Sequence, residues 1–267
     1  MEENAMLELE LSVVKEVVRR AGEAIVRIGE EHYAEAAREA DRNIVTKADL
    51  EADRLLKEAL LKAFPQYGWL SEESRDDATR FNCRRVWIVD PIDGTREFVM
   101  KTPEFVVSVA LVEEGRGILG VIYNPVTEEL FEASAGQGAK LNGRRVFCDH
   151  RVQGKLKVEV SRSDIEKGRF AAFDSQMKLC PCGSIAYKLA RLAAGQTDST
   201  LSVTPKNEWD IAAGVVLVAE AGGTVTDLSG SPYQFNRADT LVNGVVAGSQ
   251  ESYAVVMGLV DGVSEPT

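Results

Sequence analysis

The sequence predicts an α+β protein, and three observations carry that expectation. Two stretches near the start repeat apolar residues at helical spacing. Several short apolar runs follow, separated by turn residues, as strands laid side by side require. The second half then alternates strand-like and helix-like segments. At 267 residues the chain is long enough for one large domain or two smaller subdomains. A boundary within 142–153 is expected, dividing the chain into residues 1–145 and 146–267.

From Leu11, apolar residues recur at Val14, Val18, Ala21, Ile25 and Ile28, while Lys15, Glu16, Arg19, Arg20, Glu23 and Arg27 fill the other face. This spacing predicts an amphipathic helix of about five turns. A second pattern (Ala52, Leu55, Leu56, Ala59, Ala63) stops before Pro65, and Thr46 with Asp49 is placed as a capping pair at its start. A short aromatic segment, 67–70, ends near Glu72-Glu73, and a strand-like run at 86–89 leads into Asp90-Pro91-Ile92-Asp93-Gly94-Thr95. Residues 105–112 and 117–123 read as a hairpin, and 130–133 and 139–141 continue the series with turns at Asn124-Pro125 and Asn142-Gly143.

In the second half, 156–161 is strand-like and leads into Arg162-Ser163-Asp164. Gly183-Ser184 opens a helix through Ile185, Leu189 and Leu192 that closes at Gly195. A strand at 201–203 precedes Pro205. Trp209-Asp210 then opens a helix that is apolar almost all round, the mark of a buried helix. Strands at 225–227 and 241–247 and a helix at 252–259 complete the chain.

Composition narrows the function. The formal net charge is −11, which argues against a nucleic-acid polymer as partner but leaves room for a small phosphorylated molecule if bound cations supply positive charge. No apolar run reaches the length of a membrane span, and the acidic start Met1-Glu2-Glu3-Asn4 does not read as a signal peptide. Cys83, Cys148, Cys180 and Cys182 fit a reduced, cytoplasmic protein, and Cys180-Pro181-Cys182 has the wrong spacing for a redox pair. With His32 and His150 as the only histidines, a zinc hydrolase built on imidazole ligands is not expected. Acid–base chemistry must run through carboxylates, hydroxyls and water.

Asp49, Glu72, Asp90, Asp93 and Asp210 all stand at the edges of predicted elements. Each alone has a plain structural explanation: a helix cap, a solvated strand end, a polar turn, or an acid favoured by a helix macrodipole. Together, without a matching basic cluster nearby in sequence, they resemble an all-oxygen site for hard divalent cations. Mg2+ suits such a site, with Mn2+ as a substitute. Backbone N–H groups at Gly94 and Thr95, and at Gly183 and Ser184, would face a phosphate.

The series Asp49, Glu72-Glu73, Asp90-Pro91-Ile92-Asp93-Gly94-Thr95 and Trp209-Asp210 resembles the signature of the inositol monophosphatase superfamily, the Mg2+-dependent, lithium-sensitive phosphatases. The likeness runs from about residue 41 to 230. It implies a layered αβαβα sandwich and two or three bound ions. By that resemblance Glu72, Asp90 and the Ile92 carbonyl hold the first metal, and Asp90, Asp93 and Asp210 the second. A third, weaker ion would lie near Glu72. Thr95 and Asp49 would position and deprotonate the attacking water.

Gly94-Thr95-Arg96-Glu97-Phe98, Tyr67-Gly68-Trp69-Leu70-Ser71-Glu72-Glu73 and Ser161-Arg162-Ser163 are similar to the bacterial 3′(2′),5′-bisphosphate nucleotidases. The animal inositol enzymes carry an acid several residues before their Trp-Asp pair, where this chain has Ser202-Val203-Thr204, although Glu208 could substitute. The resemblance therefore implies hydrolysis of adenosine 3′,5′-bisphosphate to AMP and phosphate, a step in sulfur assimilation, with Arg162 or Lys206 at the second phosphate. Inositol 1-phosphate and fructose 1,6-bisphosphate are the alternatives. A non-catalytic regulatory protein on the same fold is the contrasting class, and the intact acids argue against it. A monomer or a homodimer is expected, depending on the substrate.

Overall fold

Two long helices open the chain, α1 (Glu2–Glu35) and α2 (Asn43–Ala63), packed against each other. The computed structural model describes residues 2–35, 43–148, 154–170 and 177–261. Helix α1 starts earlier than the repeat from Leu11 implied, because Leu7 extends the same buried stripe. Val14, Val18, Ala21 and Ile25 have no exposed surface, as their spacing requires. Helix α2 begins upstream of Thr46, so Asp49 lies inside it and not at a helix start. The capping role expected of Thr46 falls on a side chain outside the described residues, as does His150.

The first sheet follows. Its strands are β1 (Gly68–Ser71), β2 (Arg85–Asp93), β3 (Val106–Glu113), β4 (Arg116–Asn124), β5 (Glu129–Ser134), β6 (Gly138–Leu141) and β7 (Arg144–Val146), with a short helix α3 (Thr95–Val99) after β2. They lie in chain order, β1 parallel to β2 and every later pair antiparallel. The β3–β4 hairpin turns on Glu114-Gly115, both at positive φ, which matches the twist of the paired strands.

The second half contributes β8 (Leu156–Val160), α4 (Arg162–Glu166), β9 (Met177–Pro181), α5 (Ile185–Ala193), β10 (Ser199–Ser202), β11 (Lys206–Asn207), α6 (Glu208–Glu220), β12 (Thr224–Thr226), β13 (Leu241–Val242), β14 (Val245–Gly248) and α7 (Gln250–Asp261). Five of these strands form a sheet in the order β12-β14-β10-β8-β9. The single strand expected over 241–247 is broken at Gly244, whose φ is +67°. Its first part, β13, pairs with β11 instead.

Alternation along β2 sets the layers. Trp87 and Val89 pack with α1 and α2, whereas Val86 and Ile88 join a core shared with α5 and α6. That second core continues through Val245 and Ala247 into the five-stranded sheet. The far face of this sheet, through Val158, Leu201 and Val246, packs on Val256 and Val260 of α7. The order is therefore the αβαβα sandwich. Helix α6 is apolar all round because a sheet lies on each side of it. A Cβ at Gly120 would lie 2.4 Å from the Ala213 carbonyl oxygen, so glycine lets α6 rest directly on β4. Among the described residues, no helix is long and apolar enough to cross a membrane.

Candidate active site

The buried strand β2 carries Asp90, 1% exposed, to the carboxyl edge of the first sheet. Its pairing with β3 shifts between Asp90 and Asp93, and the chain then turns at Gly94, where φ is +101° and a Cβ would meet the Glu104 carbonyl oxygen at 2.7 Å. The turn is held locally. Asp90 Oδ1 accepts from the Ile92 amide at 3.0 Å, and Thr95 Oγ1 donates to the Ile92 carbonyl at 3.2 Å.

Two other elements complete the cluster. Glu72 follows the parallel neighbour β1, and its amide donates to the Val89 carbonyl at 3.3 Å, which sets it beside Asp90. Asp210 sits in the first turn of α6, where its Oδ2 accepts from the Asn207 amide at 2.8 Å. One oxygen each from Glu72, Asp90 and Asp210 lies within 4.8 Å of the others. Asp93 stands beside them but reaches across the molecule, since its Oδ2 accepts from Ser184 Oγ at 2.5 Å and from the Ala186 amide at 2.6 Å. The carboxylate thus rests on the amino end of α5.

Burial raises the pKa of every one of these acids, and repulsion from neighbouring carboxylates adds to it at Glu72, Asp90 and Asp210. Asp90 is pushed well above the usual carboxylate range by burial and then by Asp93, Glu72 and Asp210. Glu72 and Asp210 are raised by burial first and by Asp93 next. Asp93 is raised by burial, against the pull of its hydrogen bonds with Ser184 and Ala186 and of Lys188 and Lys206. Asp49, 3% exposed on α2, is raised to about 8 by burial, Glu73 and Glu72, and its Oδ2 has no hydrogen-bond partner. The oxygens of Glu72, Asp90 and Asp210, crowded this closely, fit a hard divalent cation as the missing positive charge, and the orphaned buried oxygen of Asp49 lies in their field.

A cavity of about 280 Å³ opens in front of the cluster. Glu72, Asp90, Ile92, Asp93, Gly94, Thr95 and Asp210 line it, as do Gly183, Ser184 and Lys206. Gly183 and Ser184 differ from expectation in one respect: their amides already donate to Glu104, to its carboxylate at 2.8 Å and its carbonyl at 3.3 Å. They are not free for phosphate. Asp49, Arg162 and Glu208 are not among the lining residues. Arg162 gives both terminal nitrogens to Glu104. Glu208, fully buried, accepts from the Asn236 and Arg237 amides at 2.6 and 3.0 Å and anchors that loop.

Sequence reasoning missed Lys188 of α5, which lines the same cavity and is 1% exposed. Burial holds its pKa below the ordinary lysine value. The signal was present, since Lys188 interrupts a helix face of Ile185, Ala186, Leu189 and Ala190, all buried.

The model of the inositol monophosphatase family matches residues 6–263. The chain belongs to this family. It is 35% identical to the inositol-1-monophosphatase of Mesorhizobium japonicum over 255 residues, covering 90% of this chain and 91% of that one. It is 31% identical to the Nus factor SuhB of Escherichia coli K12, covering 90% and 91%. Among solved structures, the extragenic suppressor protein suhB of Bartonella henselae superposes with a TM-score of 0.78 at 31% identity, covering 94% of this chain and 98% of that one. Family membership makes the chain a phosphomonoester hydrolase of the magnesium-dependent phosphatases.

Proposed function

We propose that the chain is a 3′(2′),5′-bisphosphate nucleotidase, converting adenosine 3′,5′-bisphosphate to AMP and phosphate. The observation that carries this reading is the segment after the metal-site turn. Arg96 and Glu97, in the nucleotidase-like Gly94-Thr95-Arg96-Glu97-Phe98, line the cavity beside Asp93. The position where the animal inositol enzymes place an acid is occupied by Ser202-Val203-Thr204. Inositol 1-phosphate is the second reading, favoured by the name of the Mesorhizobium relative; fructose 1,6-bisphosphate is a third.

Glu72, Asp90 and Asp210 would hold the cations, two or three in number, with Asp93 and the Ile92 carbonyl completing the donor set. Bound Mg2+ supplies charge neutralisation at the phosphate and makes water a competent nucleophile at neutral pH. The protein's own part is positioning. Asp93 is fixed by the start of α5, and Asp210 by its bond to Asn207, so neither has to be ordered as the substrate arrives. Asp49, held neutral near pH 7 while no cation is near, would lose its proton as cations bind and then accept one from the attacking water, with the Thr95 hydroxyl orienting that water. The free state of all four cysteines supports a reducing, cytoplasmic setting.

The test is magnesium-dependent phosphate release from adenosine 3′,5′-bisphosphate, inositol 1-phosphate and fructose 1,6-bisphosphate, each across a concentration series. The nucleotidase reading expects the highest kcat/KM for the nucleotide. A higher value for inositol 1-phosphate would refute it.

A further inference from the structure

Apolar packing holds α2 against the first sheet, yet beside the site it does little to fix the helix along its axis. The fully buried stripe of α2 is Ala48, Ala52, Leu56 and Leu60, so the turns around Asp49 rest on alanines and the bulky side chains come later. Burial of apolar surface is non-directional, and an alanine face interlocks weakly with what it touches. A directional tie stands at this point. Asp53, one turn beyond Asp49 and 7% exposed, accepts from Ser71 Oγ through Oδ1 and from Ser74 Oγ through Oδ2, both at 2.5 Å. These serines are the residues on either side of Glu72-Glu73. The direction of the Ser74 bond is fixed, because Ser74 Oγ already accepts from Trp69 Nε1 at 3.3 Å and from Lys57 Nζ at 3.4 Å, which leaves its proton for Asp53.

Asp49 faces Glu72 and Glu73 across the same gap. We propose that Asp53 is a positioning residue, which by clamping Ser71 and Ser74 sets Glu72, at the exit of β1, at a fixed separation from Asp49 on α2. The Glu72 amide already ties that residue to β2 through the Val89 carbonyl, and Asp53 adds the tie to the helix. Asp53 does not line the cavity, so it acts through the residues it holds. The inference rests on the roles given above to Glu72 and Asp49 and is indifferent to which ester is cleaved. A misplacement of about 1 Å at a reacting centre costs on the order of 10²-fold in rate, which is the scale such a clamp protects.

Asp53→Ala removes the clamp. Asp53→Asn keeps it, since asparagine can accept from Ser74 through Oδ1 and donate to Ser71 through Nδ2. Mg2+ affinity is read by titration calorimetry, and kcat at saturating Mg2+ by phosphate release from the ester that the unaltered protein prefers. Asp53→Ala should weaken Mg2+ binding by about 10-fold and lower kcat by about 10-fold or more, while Asp53→Asn stays within about 3-fold in both. Ser74→Ala removes one of the two bonds from a half-buried position. It should move both quantities the same way by a smaller factor, and it decides the test if Asp53→Ala does not fold. Glu10→Gln is the matched control. Glu10 is fully buried between α1 and β2, where it accepts from Tyr67 Oη and, at 2.7 Å, from Arg85 Nη1, at the opposite end of β2 from Asp90. Its variant should lose melting temperature with Mg2+ affinity unchanged. The proposal is overturned if Asp53→Ala leaves Mg2+ affinity and kcat within about 2-fold, if Asp53→Asn falls as far as Asp53→Ala, or if Glu10→Gln weakens Mg2+ binding to the same extent. Normal turnover in Asp49→Asn would refute the base role given to Asp49 above, and the clamp on Glu72 then stands or falls on the calorimetry alone.

Discussion

The two walls of the cavity are built on opposite principles. On one, Glu72, Asp90 and Asp210 bring like charges within 4.8 Å of each other, each delivered by a different element. On the other, Lys188 of α5 and Lys206 of β11 line the same cavity and pull on Asp93. Both walls are unfavourable as they stand, and they ask for opposite things. Cations would complete the acidic wall, and the negative charge of a phosphate ester would complete the basic one.

The sharpest way to break this picture is on the acidic wall. Asp93→Asn or Asp210→Asn should lower kcat/KM by roughly 10³-fold. Asparagine can still accept from Ser184 and Ala186, or from Asn207, so the melting temperature should move by no more than about 2 °C in metal-free buffer. Near-normal turnover in either variant would remove that residue from the metal-binding set. On the basic wall, Lys206→Ala should cost about 10-fold in kcat/KM for the bisphosphate, mostly through KM; an effect confined to kcat would assign Lys206 to the reacting centre.

Acidity offers a third probe. A carboxyl whose folded pKa lies above its unfolded value binds more protons when folded, so its contribution to stability falls as pH rises through that interval. For Asp49 the interval runs from 3.8 to about 8, and Glu72, Asp90, Asp93 and Asp210 shift in the same direction. Thermal melts of the magnesium-free protein should therefore drop by several degrees, on the order of 5 °C, from pH 5.5 to pH 8.5. Saturating Mg2+ should flatten the dependence, and a melting temperature that rises with pH in chelator would contradict the crowding of these acids. The smallest effect is expected at Arg162. Arg162→Met should leave kcat/KM within about 3-fold while costing on the order of 1 kcal/mol of stability, measured by urea unfolding, because its guanidinium is held by Glu104 and, at 3.6 Å, by Glu97 and does not itself line the cavity.

The acidic wall was legible in the sequence because its residues fall in short contiguous motifs at strand and helix ends. Local spacing also located α1, α2, the β3–β4 hairpin and the buried helix α6. The basic wall was legible only in part. Lys206 stood out beside the Trp209-Asp210 motif, whereas Lys188 left a single mark, the break it makes in an apolar helix face, whose meaning the fold supplies by covering both faces of α5. Arg162 and Glu208 invited the opposite error, since a place beside a motif does not reveal that Glu104 or the amides of 236 and 237 have taken their charge. The second sheet was read only in part: β9 lacks a clear apolar alternation, and Gly244 divides what reads as one run into β13 and β14.

The bond from Asp93 to Ser184 and Ala186 ties a carboxylate of the first sheet to a helix of the second half, about 90 residues further along the chain. Asp210 likewise enters from α6, beyond the first sheet. A nascent chain that has finished its first seven strands therefore owns Glu72 and Asp90 but lacks the geometry that makes them a metal site. By this reading, divalent-cation affinity would emerge only when the middle helical layer of α5 and α6 docks, so during refolding it would report that docking and could not guide the earlier assembly of the first sheet.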